Sequence, residues 1–446
     1  LKDYIAQQAT AIKTALEATG QVQVLEGNII HGNGMARTEA LALKAQLPDA
    51  VVFNVPVFAF PNFALVAQSV LQLPVLVISN VNGALPGLGG LQAATNLLRQ
   101  CGYPCEKVWG DISQPETLAQ CMAFLRAAYA SNQLRGQVFG LIGGRSIGMG
   151  SGTAPSDLWQ QVFGVDVDHT DQSEILRRAP EVPEEKVEQA FQWLSNRTHI
   201  EYDGEKLTPE SLKEQIRHYY ATKSICEEKD YAFVGVKCHY ELSAYSCTQC
   251  LSAAFFNDPY DWDGPKEPRV FTCEADCEGG LTMQVMKLLS GEPVIFADFR
   301  FYKAESNLFY FCNCGAMATW YAQRSQCPEE NLKQVSLHPI IPKYAGTGCH
   351  VGYIAKEGRM TFGRITHEQG QFIFTVFTGT AKELPQEATQ ETCPVWPHMF
   401  VVPDAPYQSI IRDYDCNHVH AIAGDYVEEI RYFCELKGIQ FRHITG

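Results

Sequence analysis

The sequence lacks any apolar run long enough to cross a membrane. A membrane-spanning helix needs about 18 or more consecutive apolar residues, and no such run occurs among the 446 residues. The first residues, LKDY, also lack the apolar core of a secretion signal. We therefore expect no membrane partner and a cytoplasmic location.

Basic residues are scarce. Lys and Arg number 35 against 50 Asp and Glu, so the formal net charge is -15 and the pI about 5.3. No Lys/Arg cluster of the kind that follows a phosphate backbone appears, and an acidic surface repels one. Nucleic acid is therefore not expected as a partner. Hydrophobic residues make up 46%, which predicts a globular chain with a sizeable core.

The 16 cysteines follow no recognisable disulfide or metal-binding framework. Several lie inside apolar runs, such as Cys238 and Cys434, and buried free thiols in a reducing compartment are the favoured interpretation. The motifs Cys247-Thr248-Gln249-Cys250 and Cys312-Asn313-Cys314 offer soft ligands for zinc or an iron–sulfur cluster. Their spacing fits no standard four-cysteine site. A cysteine-based metal or redox protein therefore stays as one alternative function.

The pattern of apolar runs predicts an α/β fold with two doubly wound α/β domains followed by a β-rich, barrel-like C-terminal domain. Residues 1–135 alternate between helical and strand patterns, with strands predicted at 21–26, 50–60, 74–79 and 106–109. Residues 136–291 begin a second unit of the same kind, with a glycine-rich segment at 143–152. Residues 292–446 consist mostly of alternating runs between turns, which predicts an antiparallel sheet or barrel.

The glycine-rich segment GGRSIGMGSG does not match a nucleotide-binding motif. No Gly-Lys-Ser/Thr follows it, as a phosphate-binding P-loop requires, and it does not fit the dinucleotide fingerprint cleanly. We expect this loop to approach a sugar or the neighbouring backbone instead.

Acidic residues gather where a strand passes into a helix, in CEADCEGG. Asp276 and Glu278 fall at the predicted helix start, where carboxylates favour capping roles. Glu274 comes earlier, at the carboxyl end of the strand, where ligands bind in α/β sheets. Asp298 is a lone acid in the apolar strand VIFADFRF and needs a partner. That partner is either Arg300, two residues on along one strand face, or a metal ion.

A third segment, Cys416-Asn417-His418-Val419-His420, supplies imidazoles. His418 and His420 share one face of the predicted strand, and either is a candidate ligand. Two carboxylates plus one imidazole suit Mn²⁺ or Mg²⁺ better than structural zinc. With open positions for two adjacent sugar oxygens, such an ion acts as a Lewis acid in aldose–ketose isomerisation, and a nearby carboxylate moves the proton through an enediol.

These segments resemble the L-fucose isomerase and L-arabinose isomerase family. The stretch EADCEGGLTMQVMKLLSG with Asp298 after it is similar to that family's metal-site region. The segment from Asn417 to Asp425 is similar to the family's C-terminal segment. Residues 143–179 resemble the start of its second domain.

The resemblance implies Glu274, Asp298 and His418 as Mn²⁺ ligands, with Mg²⁺ or Co²⁺ as other ions. It implies Glu274 and Asp298 as the acid/base pair. It also implies Met149 beside the substrate and a homo-oligomer, either a hexamer or another trimer-based assembly.

The chain departs from the family pattern near the sugar. Lys237-Cys238-His239 stands where the family often has a glutamine, and His239 is a candidate replacement. The expected substrate is a deoxy sugar, a pentose or an anionic sugar, and the placement of Arg145, Lys237 and His239 motivates the hypothesis of an anionic one, sulfonated or phosphorylated. His420 is a further candidate for sugar binding. A non-catalytic sugar-binding protein on the same fold is the second alternative function.

Overall fold

The computed structural model describes the backbone of residues 1–446 and every side chain except that of Ser151. The chain divides into two compact units. The first comprises Leu1–Asn132 with Glu428–Gly438, and the second comprises Gln133–Val427 with Ile439–Gly446. Residues on both sides of the predicted boundary at 291 belong to the second unit, because the parallel sheet and the barrel share one apolar core that includes Val234 and Phe311.

The first unit is built on a three-stranded parallel sheet in the order β1-β2-β3. Its elements up to the long fifth helix are α1 (Lys2–Glu17), α2 (Asn33–Lys44), β1 (Val51–Asn54), α3 (Asn62–Leu71), β2 (Val75–Ser79), α4 (Gly87–Gln100), β3 (Cys105–Trp109) and α5 (Pro115–Gln133). The strand predicted at 21–26 is wrong, since these residues form no strand and pair with none. The strand predicted at 50–60 ends at Asn54, shortly before Pro56, which has no N–H for a sheet ladder.

The second unit begins with a four-stranded parallel sheet in the order β10-β7-β4-β5. The elements of this part are β4 (Val138–Ile142), α6 (Ser156–Val162), β5 (Asp166–Thr170), α7 (Ser173–Arg178), α8 (Glu184–Ser195), β6 (His199–Ile200), α9 (Pro209–Glu228), β7 (Phe233–Val236), α10 (Glu241–Tyr245), α11 (Cys250–Asn257), β8 (Tyr260–Asp261), β9 (Gly264–Pro265), β10 (Phe271–Thr272) and α12 (Cys277–Ser290).

The rest of the second unit contains a closed antiparallel barrel. The elements that follow in this unit are β11 (Ile295–Lys303), β12 (Leu308–Cys312), α13 (Pro328–Leu332), β13 (Ser336–Pro339), β14 (Cys349–Gly352), β15 (Gly358–Glu368), β16 (Gln371–Lys382), β17 (His398–Pro403), α14 (Tyr407–Asp413), β18 (His418–Ala423) and β19 (Gln440–His443). Helix α15 (Val427–Lys437), between β18 and β19, belongs to the first unit apart from its first residue. Strand β15 pairs with both β18 and β16, which closes the series β15-β18-β11-β12-β17-β16, and β19 joins β16 in parallel. The α/β fold with a β-rich C-terminal region is confirmed.

Helix α12 connects the parallel sheet with the barrel. It follows β10 after one short turn and packs against β15 and β18. The carboxyl end of β10 is thereby brought next to the barrel strands that carry Asp298 and His418. Among the described residues, no helix has both the length and the apolar character needed to cross a bilayer.

Candidate functional site

Glu274 lies in the turn Cys273–Ala275 between β10 and α12. Its backbone has φ 58°, and Ala275 after it has φ 54°. Left-handed conformations cost free energy at residues other than glycine and concentrate at functional sites, where the surrounding structure enforces them. The side chain of Glu274 is only 16% exposed. The turn therefore holds a largely buried carboxylate at the end of a parallel strand.

Asp298 and His418 lie side by side on neighbouring strands of the barrel wall. They are directly paired in the antiparallel register of β11 and β18. Nε2 of His418 is 3.5 Å from Oδ1 of Asp298 and 3.6 Å from Oε2 of Glu274. The structure thus brings the three predicted metal ligands together, with both carboxylates directed at the same imidazole nitrogen.

Asp276 fixes the orientation of that imidazole. It is the N-cap of α12 and accepts a hydrogen bond from the Gly279 N–H at 3.0 Å, which confirms the predicted capping role. Its Oδ2 also lies 2.7 Å from Nδ1 of His418. An ionised carboxylate only accepts hydrogen bonds, so Nδ1 carries the proton. The lone pair on Nε2 is therefore available to a ligand on the side of Glu274 and Asp298.

Sequence reasoning missed Arg364, the partner of Asp276. Arg364 lies on β15, is 1% exposed, and binds both carboxylate oxygens of Asp276, with Nη2 2.9 Å from Oδ1. Glu278 lies 3.6 Å from the same guanidinium. A lone arginine in the apolar run MTFGRIT is a buried charge that needs a partner, and this signal was available in the sequence.

His420 lies behind the site. It is fully buried, and its Nε2 accepts a hydrogen bond from Arg364 at 3.1 Å. Its Nδ1 has no hydrogen-bond partner among the described atoms. The structure therefore places His418, and not His420, beside the two carboxylates, and the sugar-binding role predicted for His420 has no contact here that supports it.

The carboxylates differ sharply in acidity. Burial raises the pKa of Glu274 to about 7 and that of Asp298 to about 6. Burial alone would also raise the pKa of Asp276, but Arg364 and His418 hold it well below its usual range. For His418, burial acts to lower the pKa, but the hydrogen bond to Asp276 and the negative charges of Asp276 and Asp298 together outweigh it, and the net shift is upward. Glu274 and Asp298 thus lack the cationic partner and the hydrogen bonds that keep Asp276 ionised.

Glu274, Asp298 and His418 are the side chains that could hold a divalent cation. Donors bound to one ion at roughly 2.0–2.2 Å stand about 3–3.6 Å apart, and the two measured donor separations of 3.5 and 3.6 Å fall in that range. As they stand, no three of the described His, Cys, Asp and Glu side chains are placed so that together they could hold a metal ion. Binding would therefore require the carboxylates to adjust around the ion.

The alternative partner of Asp298, Arg300, is turned elsewhere. The pairing of β11 with β12 shifts between Phe299 and Phe301, so Arg300 is the extra residue of a β-bulge. Its guanidinium carbon lies 5.5 Å from the ring centre of Trp396. The prediction that Asp298 and Arg300 share a strand face and form a salt bridge is wrong, because the bulge breaks the alternation. No such ion pair exists among the described side chains.

His239 lies on the other side of Glu274. Its Nε2 is 3.7 Å from Oε1 of Glu274 and 3.2 Å from the Tyr344 hydroxyl, and the His239 and Tyr344 rings stack at 4.9 Å. Burial lowers the pKa of His239, which favours a neutral imidazole. Lys237 pairs with Glu241 at 2.8 Å, so its charge is already matched.

The glycine-rich loop borders the same region. The Ser146 hydroxyl donates to the carbonyl of His239 at 3.1 Å. A Cβ placed on Gly152 would lie 3.8 Å from Cα of Asp276. Arg145, which is exposed, and Met149, which is half-buried, belong to this loop. The structure thus places both predicted sugar-binding residues on a loop that touches the site, but neither forms a hydrogen bond or ion pair with the carboxylates among the described side chains.

Cysteines from the two predicted motifs meet beneath the site. Sγ of Cys250 lies 3.2 Å from the backbone oxygen of Cys314, and Sγ of Cys314 lies 3.4 Å from Sγ of Cys273. All 16 cysteines are free, and most are buried. These thiols line a narrow cavity and form no complete metal cage among the described side chains. The free thiols agree with the favoured interpretation of the cysteines.

Comparison with known proteins identifies the relatives of the chain. Residues 2–136 match the first N-terminal domain of L-fucose isomerase, and residues 311–445 match its C-terminal domain. A sulfoquinovose isomerase from Alkalicoccus urumqiensis is 26% identical over 353 residues, covering 76% of this chain and 74% of the relative. An L-fucose isomerase from Vibrio vulnificus is 22% identical over 395 residues, covering 74% and 68%. An L-fucose isomerase from Haemophilus influenzae is 22% identical over 415 residues, covering 76% and 70%.

The two domain matches stand in the family's order at opposite ends of the chain. Between them lies the segment that carries Glu274 and Asp298. The chain belongs to the L-fucose isomerase family of sugar isomerases.

Proposed function

We propose that this chain is a metal-dependent aldose–ketose isomerase that works through an enediol intermediate. The observation that carries the proposal is the convergence of Glu274 and Asp298 on Nε2 of His418, with Asp276 holding Nδ1. Membership of a sugar isomerase family supports the substrate class. Among divalent ions, Mn²⁺ suits two carboxylates and one imidazole, with Mg²⁺ and Co²⁺ as alternatives.

Glu274, Asp298 and His418 would hold the ion. Asp276 would keep the His418 ring in place, since carboxylates behind metal-binding imidazoles fix their orientation and tautomer. When bound, the ion supplies Lewis acidity to the carbonyl and hydroxyl oxygens of the sugar.

The carboxylates supply the proton transfers. Glu274 removes the proton from C2 of the open-chain aldose, the C2 electron pair forms the C1=C2 bond, and the carbonyl oxygen on C1 takes up a proton. Return of a proton to C1 and loss of the proton on the C2 hydroxyl then give the ketose. Asp298 donates the proton that the C1 oxygen takes up and accepts the proton that the C2 hydroxyl loses. Without an ion, burial raises the pKa of Glu274 to about 7 and that of Asp298 to about 6; a bound cation would favour the ionised carboxylates, the form that accepts a proton.

We further propose that the substrate is an anionic hexose, such as the 6-sulfonated sugar sulfoquinovose. The relative named sulfoquinovose isomerase covers most of this chain. Exposed Arg145 lies on the loop that borders the site, which supports a cationic environment for the sugar. A neutral deoxy sugar such as L-fucose is the competing substrate.

Ketose formation from a panel of aldoses tests the proposal. The chelated protein is assayed with and without Mn²⁺ on sulfoquinovose, glucose 6-phosphate, L-fucose, D-arabinose and L-arabinose. We expect turnover only with the metal and fastest with an anionic sugar. The same assay in D₂O distinguishes the chemistry: deuterium at C1 of the ketose supports the enediol, whereas complete retention of the C2 proton would point to a hydride shift.

The homo-oligomer stays a prediction. Phe58 and Phe60 in the first unit are 50% and 65% exposed, and such large apolar side chains are often covered by a partner subunit. Light scattering after size-exclusion chromatography would measure the assembly. A trimer or hexamer agrees with the prediction, and a monomer contradicts it.

A further inference from the structure

Two exposed cations share one aromatic ring near the site. The guanidinium carbon of Arg300 lies 5.5 Å from the ring centre of Trp396, and Nζ of Lys343 lies 6.0 Å from the same centre. Neither cation forms an ion pair with a carboxylate among the described side chains, in a chain whose net charge is -15. Both positive charges therefore lie around one ring without a carboxylate partner, and an anion bound there would be attracted to each of them.

The backbone contributes to this arrangement. Arg300 is the extra residue of the bulge in β11. Bulges often lie next to active sites, where they redirect a side chain. Without the bulge, Arg300 would share the face of Asp298 and neutralise a proposed metal ligand. With it, the guanidinium lies over Trp396 and forms no ion pair with Asp298 among the described side chains.

Both cations lie near the carboxylates of the site. Lys343 is linked to Glu274 through a series of side-chain contacts, and Arg300 is close to Asp298 along the chain. Lys343 lies 4.9 Å from the ring centre of Tyr344. The Tyr344 hydroxyl contacts His239, and His239 in turn contacts Glu274. Arg300 follows Asp298 by two residues, and although the two form no ion pair, the positive charge of Arg300 acts to lower the pKa of the Asp298 carboxyl, which places the guanidinium near the site. An anionic group at the far end of the sugar would therefore reach these cations while C1 and C2 stay at the carboxylates.

We propose that Arg300, Lys343 and Trp396 form a subsite for a terminal oxyanion group on the sugar, either a sulfonate or a phosphate ester. This inference rests on the isomerase function proposed above and names the residues that select its substrate. The fork of N–H donors on Arg300 matches an oxyanion with several oxygens, and Lys343 adds a second charge. Trp396 itself is buried, and the two cations are the groups that a ligand would meet.

The test compares charged and neutral sugars on single variants. Arg300→Gln, Lys343→Gln and the double variant are assayed with sulfoquinovose, glucose 6-phosphate and the neutral analogue 6-deoxyglucose. Loss of one charge-assisted contact should lower kcat/KM for the anionic sugar about 10–100-fold, through KM, and leave the neutral sugar within about twofold. Lys333→Gln removes an exposed cation elsewhere in the same unit and serves as the matched control. Whichever of sulfoquinovose and glucose 6-phosphate shows the larger fall in kcat/KM in the variants identifies sulfonate or phosphate as the natural group.

Three results would overturn the inference: an equal loss for charged and neutral sugars, a loss of anion preference in Arg145→Gln but not in the Arg300 and Lys343 variants, or a wild-type protein that prefers 6-deoxyglucose. Calorimetric titration with sulfoquinovose separates this inference from the proposed function. If no sugar is isomerised, a weaker binding constant in the Arg300 and Lys343 variants still supports the subsite. Unchanged binding, or no binding to the wild type, contradicts it.

Discussion

Three carboxylates contact the same imidazole, yet their surroundings differ. Asp276, the inner carboxylate, is 1% exposed and is bound by Arg364, the cap N–H of α12 and Nδ1 of His418. Glu274 and Asp298, the outer carboxylates, are 16% and 33% exposed and have only imidazoles within 4 Å as cationic partners. The pKa of the inner group is lowered, whereas the pKa values of both outer groups are raised.

This difference in surroundings indicates different roles for the inner carboxylate and the two outer carboxylates. The inner charge is compensated by the protein itself, so Asp276 can orient His418 without taking part in the reaction. The outer charges are poorly compensated, and placing them together has a cost that protonation or a bound cation would remove. The protein thus keeps its uncompensated negative charge at the position where the proposed ion and the sugar meet.

The largest expected effect comes from removing one outer charge. Glu274→Gln should lower kcat about 10²–10⁴-fold, because the proposed base for the C2 proton is lost, and should also weaken Mn²⁺ binding. Glu330→Gln, which changes an exposed glutamate in the same unit, is the matched control. Steady-state kinetics and Mn²⁺ titration by electron paramagnetic resonance measure the two effects. Wild-type kcat in Glu274→Gln would contradict the assignment.

Removing the inner compensation should unfold the protein more readily. Arg364→Met leaves Asp276 buried without its cation, and breaking such a pair costs about 3–5 kcal/mol of the free energy of unfolding. Arg359→Met on the same strand breaks two exposed ion pairs and should cost at most about 1 kcal/mol. Urea unfolding of both variants makes the comparison. Equal losses would show that Arg364 does not compensate a buried charge.

A smaller effect is expected from weakening the orientation of His418. Asp276→Asn keeps a hydrogen-bond acceptor near Nδ1 but removes its charge, so Mn²⁺ affinity should fall about 10–100-fold. Manganese titration of the folded variant measures this loss, with circular dichroism to show that the fold is retained. An unchanged affinity would mean that Asp276 caps α12 and does no more.

The smallest expected effect is a dependence of stability on pH in the metal-free protein. Because burial raises the pKa of Glu274 from 4.5 to about 7, its contribution to stability is complete below pH 4.5 and is lost as the pH rises through 7. Metal-free Glu274→Gln should therefore be more stable than wild type at pH 8, by about 1–3 kcal/mol, with the gain shrinking toward pH 4.5. Added Mn²⁺ should reverse the order of the two proteins. A gain that is independent of pH would contradict this account.

The sequence was sufficient for the parts of the site that depend on local pattern. The strand–turn–helix order around Glu274, the cap at Asp276 and the strand that carries Asp298 all follow from the spacing of apolar and acidic residues. The sequence left open whether His418 or His420 faces the carboxylates, since both lie on one strand face. Only the pairing of β18 with β11, which sets His418 opposite Asp298, separates them.

Longer-range features escaped prediction for a physical reason. Arg364 reaches Asp276 only because α12 packs on β15, a contact between residues 88 positions apart. Arg300 was expected on the face of Asp298, but a bulge that depends on β12 turned it away. The strand expected at 21–26 had a suitable composition and no neighbouring strand to pair with. Each of these features depends on a partner that is distant in the chain.

A paired measurement on one chelated preparation of the wild-type protein tests most directly whether a metal ion held by Glu274, Asp298 and His418 drives the isomerisation. Mn²⁺ binding is titrated while ketose formation from sulfoquinovose and L-fucose is followed at each addition. We expect one tight Mn²⁺ site per chain, whose occupancy rises together with isomerase activity. Glu274→Gln should lose both the tight Mn²⁺ binding and the activity. Full activity in the chelated protein, or tight Mn²⁺ binding that persists in Glu274→Gln, would contradict it.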